Sequence, residues 1–421
     1  MRLLGRSAFV SIVLFSFGIV AGTHLLLLRV LGVARLQRQA VWGRHLRLLC
    51  QRLGATYIKL GQVLATRPDL ASAPVRKALA ALHDRVPPFS YRAVSRIVTA
   101  EFGQPPEQLF AEIDPYPVAS ASVAQVHRGR LRDGEAIALK VRRPGIERTM
   151  RSDMTLLTLV TAIIAWLPGL RRYPLRQALG EICGAIEQQL DFCREAANNR
   201  VFRQNFEGMA DVVFPRLVER FCSERVLCMS FIAGEKINTL RPGSSAQAVV
   251  RTGYNAILKM IFIDGFVHAD LHPGNMLVVD GNRLAFVDLG LVARVGQRQR
   301  SGLLRILAGW IGRDVAGVCA GISAAAFYGQ PPADEQRLRA TVEQLLERYR
   351  DRSLAEIRLA ELLQDLVKVA RHQWQRLDPT LTMIALAIGV VEGVGRELAP
   401  DLSIADAAAP FLGAIQLSNM L

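Results

Sequence analysis

The spacing of apolar and polar residues changes several times along this chain, and each change predicts a different element. Residues 7–28 carry no charged side chain over 22 positions, a length sufficient for a membrane-crossing helix. Residues 36–104 place apolar side chains at the 3.6-residue spacing of helices. Between 105 and 146 the pattern becomes that of short strands around Asp133-Gly134, a dipeptide typical of hairpin turns.

The rest of the chain is predominantly helical in pattern. We predict helices over 151–208 and 246–267, a strand over 225–231, strands at 277–279 and 284–287 around Asp280-Gly281-Asn282, and helices thereafter. This order predicts an α+β fold in four segments. They are an apolar membrane-anchor segment (1–35), a helical N-terminal extension (36–104), a small lobe with inserted helices (105–234) and a helical C-terminal lobe (235–421).

Charges around the apolar segment indicate its orientation. Two arginines precede it and five follow it closely: Arg2 and Arg6, then Arg29, Arg35, Arg38, Arg44 and Arg47. The heavier positive flank is C-terminal, which predicts a single membrane-spanning helix with the following chain in the cytoplasm. A cleaved signal peptide is an alternative, although no A-x-A site follows. A buried or surface-lying helix is the other.

Composition narrows the choice of partners. The chain has 421 residues, 51% of them hydrophobic, and a net charge of +15 in which only six of 52 basic residues are lysine. No basic run is interleaved with aromatic residues and no nucleic-acid-binding motif is present, so we expect no nucleic-acid partner. A basic surface that faces an anionic membrane accounts better for this charge.

The strongest chemical signal lies between 268 and 290. Asp270 and Asn275 share the segment His268-Ala269-Asp270-Leu271-His272-Pro273-Gly274-Asn275, and Asp288-Leu289-Gly290 follows the two predicted strands. Phosphoryl transfer needs positioned phosphates, metal ions and an oriented nucleophile more than covalent help from the protein. This spacing predicts Asp270 as the catalytic residue that orients the acceptor. It predicts Asn275 and Asp288 as Mg²⁺ ligands, since hard cations prefer oxygen donors.

A second signal lies upstream, in Ala138-Leu139-Lys140-Val141. A lysine between apolar neighbours on a strand needs an anionic partner. Kinases supply ATP phosphates and a helix glutamate at such a position, and Glu195 is the candidate here. The alternative is an edge-strand lysine that reaches solvent.

The segment before this strand is rich in small residues where a typical kinase has a glycine-rich loop. We call residues 118–126 the alanine-rich segment. All nine are predicted to bind ATP: Val118, Ala119, Ser120, Ala121, Ser122, Val123, Ala124, Gln125 and Val126. Small side chains permit close approach of the backbone to phosphates, while alanine in place of glycine narrows the available φ range. A plain small-residue turn is the alternative.

With these residues in view, the chain resembles the AarF/UbiB family of atypical kinases over roughly residues 40–400. The resemblance rests on the alanine-rich segment, on 140–145, 191–198 and 268–275, on Lys59-Leu60-Gly61-Gln62, and on Asp84 to Phe89. Lys59 to Gln62 matches the family's KxGQ signature. The residues alone would also allow Lys59 and Gln62 to be ordinary polar positions on one helix face.

The resemblance implies a bilobal protein-kinase-like fold, with a helical N-terminal KxGQ extension and a predominantly helical C-lobe. It implies ATP and Mg²⁺ as cofactors. It places Lys59 and Gln62 in the active site, where their helix blocks a protein substrate. It also implies a membrane-linked ATPase or small-molecule kinase that supports ubiquinone biosynthesis, with a membrane lipid or quinone precursor and quinone-biosynthesis proteins as partners.

One departure from the family pattern affects catalysis. The family has Glu-x-Asp where this chain has Gln189-Leu190-Asp191, so Asp191 remains as an implied metal ligand and Gln189 cannot supply a carboxylate. An ATP-binding scaffold without turnover is therefore an alternative function. A soluble small-molecule phosphotransferase is another, although it would need neither the KxGQ helix nor the apolar N-terminus.

Overall fold

The computed structural model describes residues 2–65, 71–82, 87–164, 175–326, 332–350, 358–373, 378–404 and 407. Asp84, Arg85 and Val86, which contribute to the family resemblance, lie outside these residues. The chain divides into two compact units. Unit 1 comprises residues 1–196 and 216–231, and unit 2 comprises residues 197–215 and 232–421. The four segment boundaries predicted above remain predictions.

Unit 1 combines helices with one antiparallel sheet. Its N-terminal helices are α1 (Arg2–Val30), α2 (Arg35–Leu53), α3 (Ala55–Ala65), α4 (Ala73–Ala80), α5 (Tyr91–Phe102) and α6 (Pro106–Leu109). Three strands follow, β1 (Glu112–Ser120), β2 (Ala124–Arg130) and β3 (Ala136–Arg142). Next come α7 (Ile146–Ile164), α8 (Leu175–Gln188) and the start of α9 (Phe192–Asn205), and β5 (Val226–Ser230) completes the sheet in the order β1-β2-β3-β5.

The pleat of β3 separates an apolar face from a polar one. Ile137, Leu139 and Val141 are fully buried in a core shared with α5 and β5. Because alternate side chains on a strand point to opposite faces, Lys140 must lie on the other face. The predicted β2–β3 hairpin is present, and Gly134 at its turn has a φ of +93°, a value that glycine adopts without strain.

Unit 2 is mostly helical. After the rest of α9 it contains β4 (Val212–Val213), β6 (Glu235–Lys236), α10 (Ser244–Lys259), β7 (Phe266–His268), β8 (Met276–Val279), β9 (Arg283–Phe286) and β10 (Val292–Arg294). Among the described residues, five helices follow: α11 (Gln297–Ile311), α12 (Val315–Ala326), α13 (Glu335–Arg348), α14 (Leu359–Gln373) and α15 (Pro379–Leu398). One large apolar core joins these helices to the strands.

Two short strands in unit 2 correct the sequence-based prediction. Residues 266 and 267 were predicted to be helical, but Phe266–His268 is a strand that pairs antiparallel with Val292–Arg294, which was also predicted to be helical. Gly265, with a φ of +61°, ends the preceding helical turn. The strands exist because segments some 25 residues apart pair with each other, and local periodicity does not report such pairing.

Candidate functional site

A buried ion pair in unit 1 joins the sheet to a helix. Lys140 Nζ lies 2.9 Å from each carboxylate oxygen of Glu195, and the two residues are only 8% and 4% exposed. The ring of Phe192 lies 5.4 Å from the same Nζ. The pleat of β3 places Lys140 opposite the first turn of α9, where a glutamate is also favoured by the helix dipole. The predicted partners of Lys140 and Glu195 are thus brought together.

The alanine-rich segment forms the end of β1, a tight loop and the start of β2. Ser120 pairs with Gln125, and the amide of Ala121 donates to the carbonyl of Ala124 across the loop. Arg143 fixes the loop from outside, donating to the Ser120 hydroxyl at 3.3 Å and to the Ala121 carbonyl at 3.1 Å. Arg143 therefore supports this loop, a role that its position in the sequence does not indicate.

Members of the alanine-rich segment differ in exposure. Val118 is 54% exposed, whereas Ser122 is fully buried. Within the described part of the chain, the Ser122 hydroxyl has no hydrogen-bond partner. An unsatisfied buried hydroxyl costs about 1–3 kcal/mol, so this group lowers the stability of the loop.

Gln125 and His127 anchor the base of this segment instead of facing outward. The Gln125 amide exchanges two hydrogen bonds with the backbone of Phe89 and donates to His127 Nε2 at 2.8 Å. Because that nitrogen accepts, the ring proton is on Nδ1 and donates to the Asp114 carbonyl. Burial lowers the pKa of His127, in keeping with this neutral form. Gln125 and His127 are two residues apart on one face of a strand, and this spacing is the sequence feature that could have predicted their contact.

The KxGQ helix, α3, shares an apolar cluster with the alanine-rich segment and the start of α9. Val63 of α3, Val123 of the loop, and Leu190 and Phe192 belong to one apolar cluster. Lys59 is buried at 8% exposure. Gln62 Nε2 donates to the Leu82 carbonyl at 3.0 Å. Three segments that the sequence singled out separately thus meet in one core of unit 1.

The altered Glu-x-Asp segment lies at the start of α9. The Asp191 carboxylate accepts from the amide of Cys193 at 2.9 Å and so caps this helix. Gln189 is buried at 8% exposure, and among the described residues its Nε2 has no hydrogen-bond partner. Arg142 donates to the Leu190 carbonyl at 2.5 Å and fixes this turn. The sequence motifs do not indicate this positioning role.

In unit 2, the loops after β7 and β9 carry the predicted catalytic and metal-binding residues. The amide of Val287 donates to the Asn275 carbonyl at 3.0 Å, and the amide of Ala269 donates to the Leu291 carbonyl at 3.1 Å. These bonds hold the segment that bears Asp288 beside the segment that bears Asp270 and Asn275. Asp288 has a φ of +61°, an uncommon conformation for a residue other than glycine and one that recurs at functional sites.

Two further side chains position these loops. Asn198 Nδ2 donates to the Leu289 carbonyl at 2.9 Å and ties α9 to the Asp-Leu-Gly segment. His268 is fully buried, and its Nδ1 accepts from the amide of Asp270 at 3.2 Å. Because Nδ1 accepts this hydrogen bond, the ring is neutral, and burial lowers the pKa of His268 in keeping with this form. Both residues belong to motifs quoted from the sequence, but neither was assigned a role there.

The donor atoms of these loops suit a magnesium ion. Asn275 Nδ2 donates to the Asp270 carbonyl at 3.1 Å, which leaves its Oδ1 as the oxygen donor. Within the described ranges, no three His, Cys, Asp or Glu side chains are grouped closely enough to hold a metal by themselves. A site with one amide oxygen and carboxylates fits Mg²⁺, which is usually held by one or two carboxylates together with phosphates and water.

Comparisons with known proteins agree with this architecture. Residues 81–321 match the ABC1 atypical kinase-like domain, and residues 342–403 match the UbiB helical domain. The "Probable protein kinase UbiB" of Marinobacter nauticus is 33% identical over 88% of this chain and 69% of its own length. "Uncharacterized protein sll1770" of Synechocystis is 32% identical over 91% of this chain and 66% of its own length. The chain thus spans about two thirds of these relatives.

A solved structure supports the fold. The Mycobacterium tuberculosis protein described as "The complex structure of Rv3197-erythromycin" aligns with a TM-score of 0.54 at 22% identity, covering 81% of this chain and 91% of that one. The fold and loops define an atypical protein-kinase-like protein with a helical N-terminal extension and a helical C-terminal region. This chain belongs to the ABC1/UbiB family of atypical kinases, which confirms the resemblance seen in the sequence.

Proposed function

We propose that this protein binds Mg²⁺ and ATP and acts as an atypical kinase or ATPase that supports isoprenoid-quinone (ubiquinone) biosynthesis. Its acceptor would be a small molecule or lipid, and hydrolysis of ATP without an acceptor is the other form of the same activity. We place it at the cytoplasmic face of a membrane. Family membership and the buried polar groups described above support this proposal.

The observation that carries the proposal is the buried pair of Lys140 and Glu195. A buried ion pair contributes little net stability, because desolvation offsets the attraction between the charges. In kinases a strand lysine paired with a helix glutamate orients the α- and β-phosphates of ATP. Lys140 would hold the phosphates, and residues 118–123 would cover them with small side chains and hydroxyls.

Chemistry at the phosphates would fall to the loops of unit 2. Asp270 would orient the acceptor hydroxyl or water and accept its proton. Asn275 Oδ1 and the Asp288 carboxylate would hold Mg²⁺, with Asp191 as a further candidate ligand. Bound Mg²⁺ would neutralise charge that develops on the phosphate oxygens during transfer.

Lys59 and Gln62 would act as a gate rather than as part of the phosphoryl-transfer step. Their helix shares an apolar cluster with the alanine-rich segment, which includes Val63 and Val123. A helix in that position would restrict access by a folded protein and leave room for a small acceptor. A membrane lipid or quinone precursor, and proteins of quinone biosynthesis, are the partners that we propose.

ATP binding and hydrolysis by the purified protein, with lipid present, test the proposal. We expect Asp288→Asn to abolish Mg²⁺-dependent hydrolysis, and asparagine tolerates the positive φ at this position. Asp280→Asn is a matched control, because Asp280 also has a positive φ (+50°) but is exposed at the β8–β9 turn. Equal hydrolysis by both variants, or no nucleotide binding by the wild type, would overturn the proposal.

Gln189 favours a second candidate, an ATP-binding scaffold without turnover. Its buried amide stands where the family pattern has a carboxylate, so one charged group of the site is lost. Binding without hydrolysis in the wild type, with hydrolysis gained in Gln189→Glu, would select the scaffold. Hydrolysis by the wild type would make Gln189 a tolerated variation.

A further inference from the structure

We propose that α1 binds a membrane in the plane of one leaflet, with its outer face in an anionic bilayer, rather than crossing it. This deepens the proposed membrane association and does not depend on ATP turnover. It replaces the spanning helix predicted from the sequence, although α1 contains an apolar stretch, Gly5–Val30, long enough to span.

The inner face of α1 is already packed against protein. Val10 and Ala21 are buried, and the ring centroid of Phe17 lies 5.4 Å from that of Trp42 of α2. His24 shares a 2.9 Å hydrogen bond with His45. These contacts extend over most of the apolar stretch, so α1 and α2 form a helical hairpin joined by a short turn.

An ion pair fixes the N-terminal end of this hairpin. Arg6 donates to both carboxylate oxygens of Asp153 on α7, at 2.9 and 2.7 Å, and to the Leu53 carbonyl at 2.7 Å. Asp153 is fully buried. Withdrawing Arg6 into a bilayer would leave this carboxylate buried without its cation, which is strongly destabilising.

Helix α2 cannot follow α1 into hydrocarbon. Helix α2 carries five arginines, Arg35, Arg38, Arg44, Arg47 and Arg52. Each arginine at the centre of a membrane costs about 2.5–3.5 kcal/mol on the insertion scale. Spanning would therefore require the hairpin to open, whereas in-plane binding leaves every contact in place.

The outer face of α1 is apolar and uncovered. Eight large side chains of this helix are exposed in the described structure: Phe9, Ile12, Phe15, Ile19, Val20, Leu26, Leu27 and Val30. Phe15 and Val30 are exposed by 72% and 76%. Soluble proteins rarely leave so long a contiguous apolar strip in water, and such strips mark interaction sites.

The positive charge of the α1–α2 hairpin favours a bilayer as the partner that covers the apolar face of α1. Arg29, Arg35 and Arg44 are exposed on the same hairpin, which has no acidic residue between 2 and 53. An apolar strip bordered by cations matches the acyl region and the anionic headgroups of one leaflet. A second copy of the chain would instead place these cations against their own equivalents.

Quenching by brominated lipids measures the depth of α1 directly. Tryptophan would replace Phe9, Phe15 or Leu26 in the full-length protein bound to phosphatidylglycerol-containing vesicles, with wild-type quenching subtracted. In-plane binding predicts one shallow depth for all three, about 5–10 Å below the headgroups. A spanning helix predicts that position 15 is far deeper than positions 9 and 26, and that result would overturn the proposal.

Vesicle co-sedimentation without ATP tests the surface itself. We expect Phe15→Glu with Ile19→Glu to weaken binding about tenfold or more, because both carboxylates would enter the apolar layer. Ile311→Glu is a matched control, since Ile311 is an exposed apolar residue of unit 2 (49%). Binding should also weaken with added salt. A lipid-free dimer that the double variant converts to a monomer, with unchanged vesicle binding, would assign the face to a second copy.

Discussion

At the residue scale, the central question is whether the Lys140–Glu195 pair contributes to the stability of the fold or to nucleotide binding. Both side chains are almost fully buried, so their charges gain from each other but lose their hydration. Such a pair need not stabilise the fold. If it is retained for nucleotide binding, stability and function should respond differently when it is replaced.

Replacing one partner or both separates these effects. Glu195→Leu removes from the buried Lys140 the carboxylate that it contacts at 2.9 Å, so we expect a loss of about 3–5 kcal/mol. Lys140→Met combined with Glu195→Leu should recover most of that loss, yet neither variant should bind ATP. Urea unfolding and calorimetric titration with Mg²⁺ and ATP measure the two properties. Retention of ATP binding by the double variant would remove Lys140 from the proposed site.

At the element scale, α3 owes its close packing to one glycine of the KxGQ signature. A Cβ at Gly61 would lie 2.4 Å from Leu82 Cδ1 and 3.2 Å from Cys50 Sγ. Larger side chains are thus excluded where α3 meets Cys50 of α2 and Leu82, two residues after the end of α4. The same contact region holds Gln62, through its hydrogen bond to the Leu82 carbonyl.

Alanine substitutions test this packing. We expect Gly61→Ala to cost about 1–3 kcal/mol, as is usual for an overfilled core, and to displace Gln62. Gly180→Ala on α8 is the control, because no described residue lies within 4 Å of its added Cβ. That change should be neutral or stabilise by up to about 1 kcal/mol, through helix propensity. Thermal unfolding compares the two, and equal stability would contradict the packing argument.

At the scale of the whole molecule, the apolar N-terminal helix is part of the fold of unit 1. Its side chains share a core with α2, α3 and α4, and Arg6 neutralises Asp153. A membrane anchor that serves only as a tether would be removable without loss of stability. The packing of α1 predicts the opposite.

Deleting residues 1–33 should therefore lower the thermal unfolding temperature. Asp153→Asn should act with opposite signs in two backgrounds. In the full-length chain it should destabilise by about 3–5 kcal/mol, because Arg6 loses its counter-charge. In the truncated chain it should stabilise, because it removes an uncompensated buried carboxylate. The same sign in both backgrounds would contradict the assigned role of the ion pair.

The chemical motifs were readable from the sequence because they depend on residue type and local spacing. Asp270, Asn275 and Asp288 were identified from a loop and a hairpin, and the hairpin of β8 and β9 is present as predicted. The β2–β3 hairpin was signalled by Asp133-Gly134. The kinase-like fold and the family were likewise recognised from motifs, as the comparisons confirm.

Long-range contacts were not readable, because periodicity describes one element at a time. The pairing of β7 with β10, and the anchoring of Gln125 to Phe89, join segments distant in sequence. The roles of Arg143 and Asn198 depend on carbonyl groups brought near them by folding.

For this protein, the sequence alone determined the family, the candidate phosphoryl-transfer residues and an N-terminal helix apolar enough to enter a membrane. Only the tertiary structure decided which face of that helix remains exposed. The reason is physical, because an apolar stretch has the same composition whether it packs on a neighbouring helix or faces a bilayer. Arg6, Asp153 and the arginines of α2 distinguish the two arrangements, since buried charge is stable only with its partner.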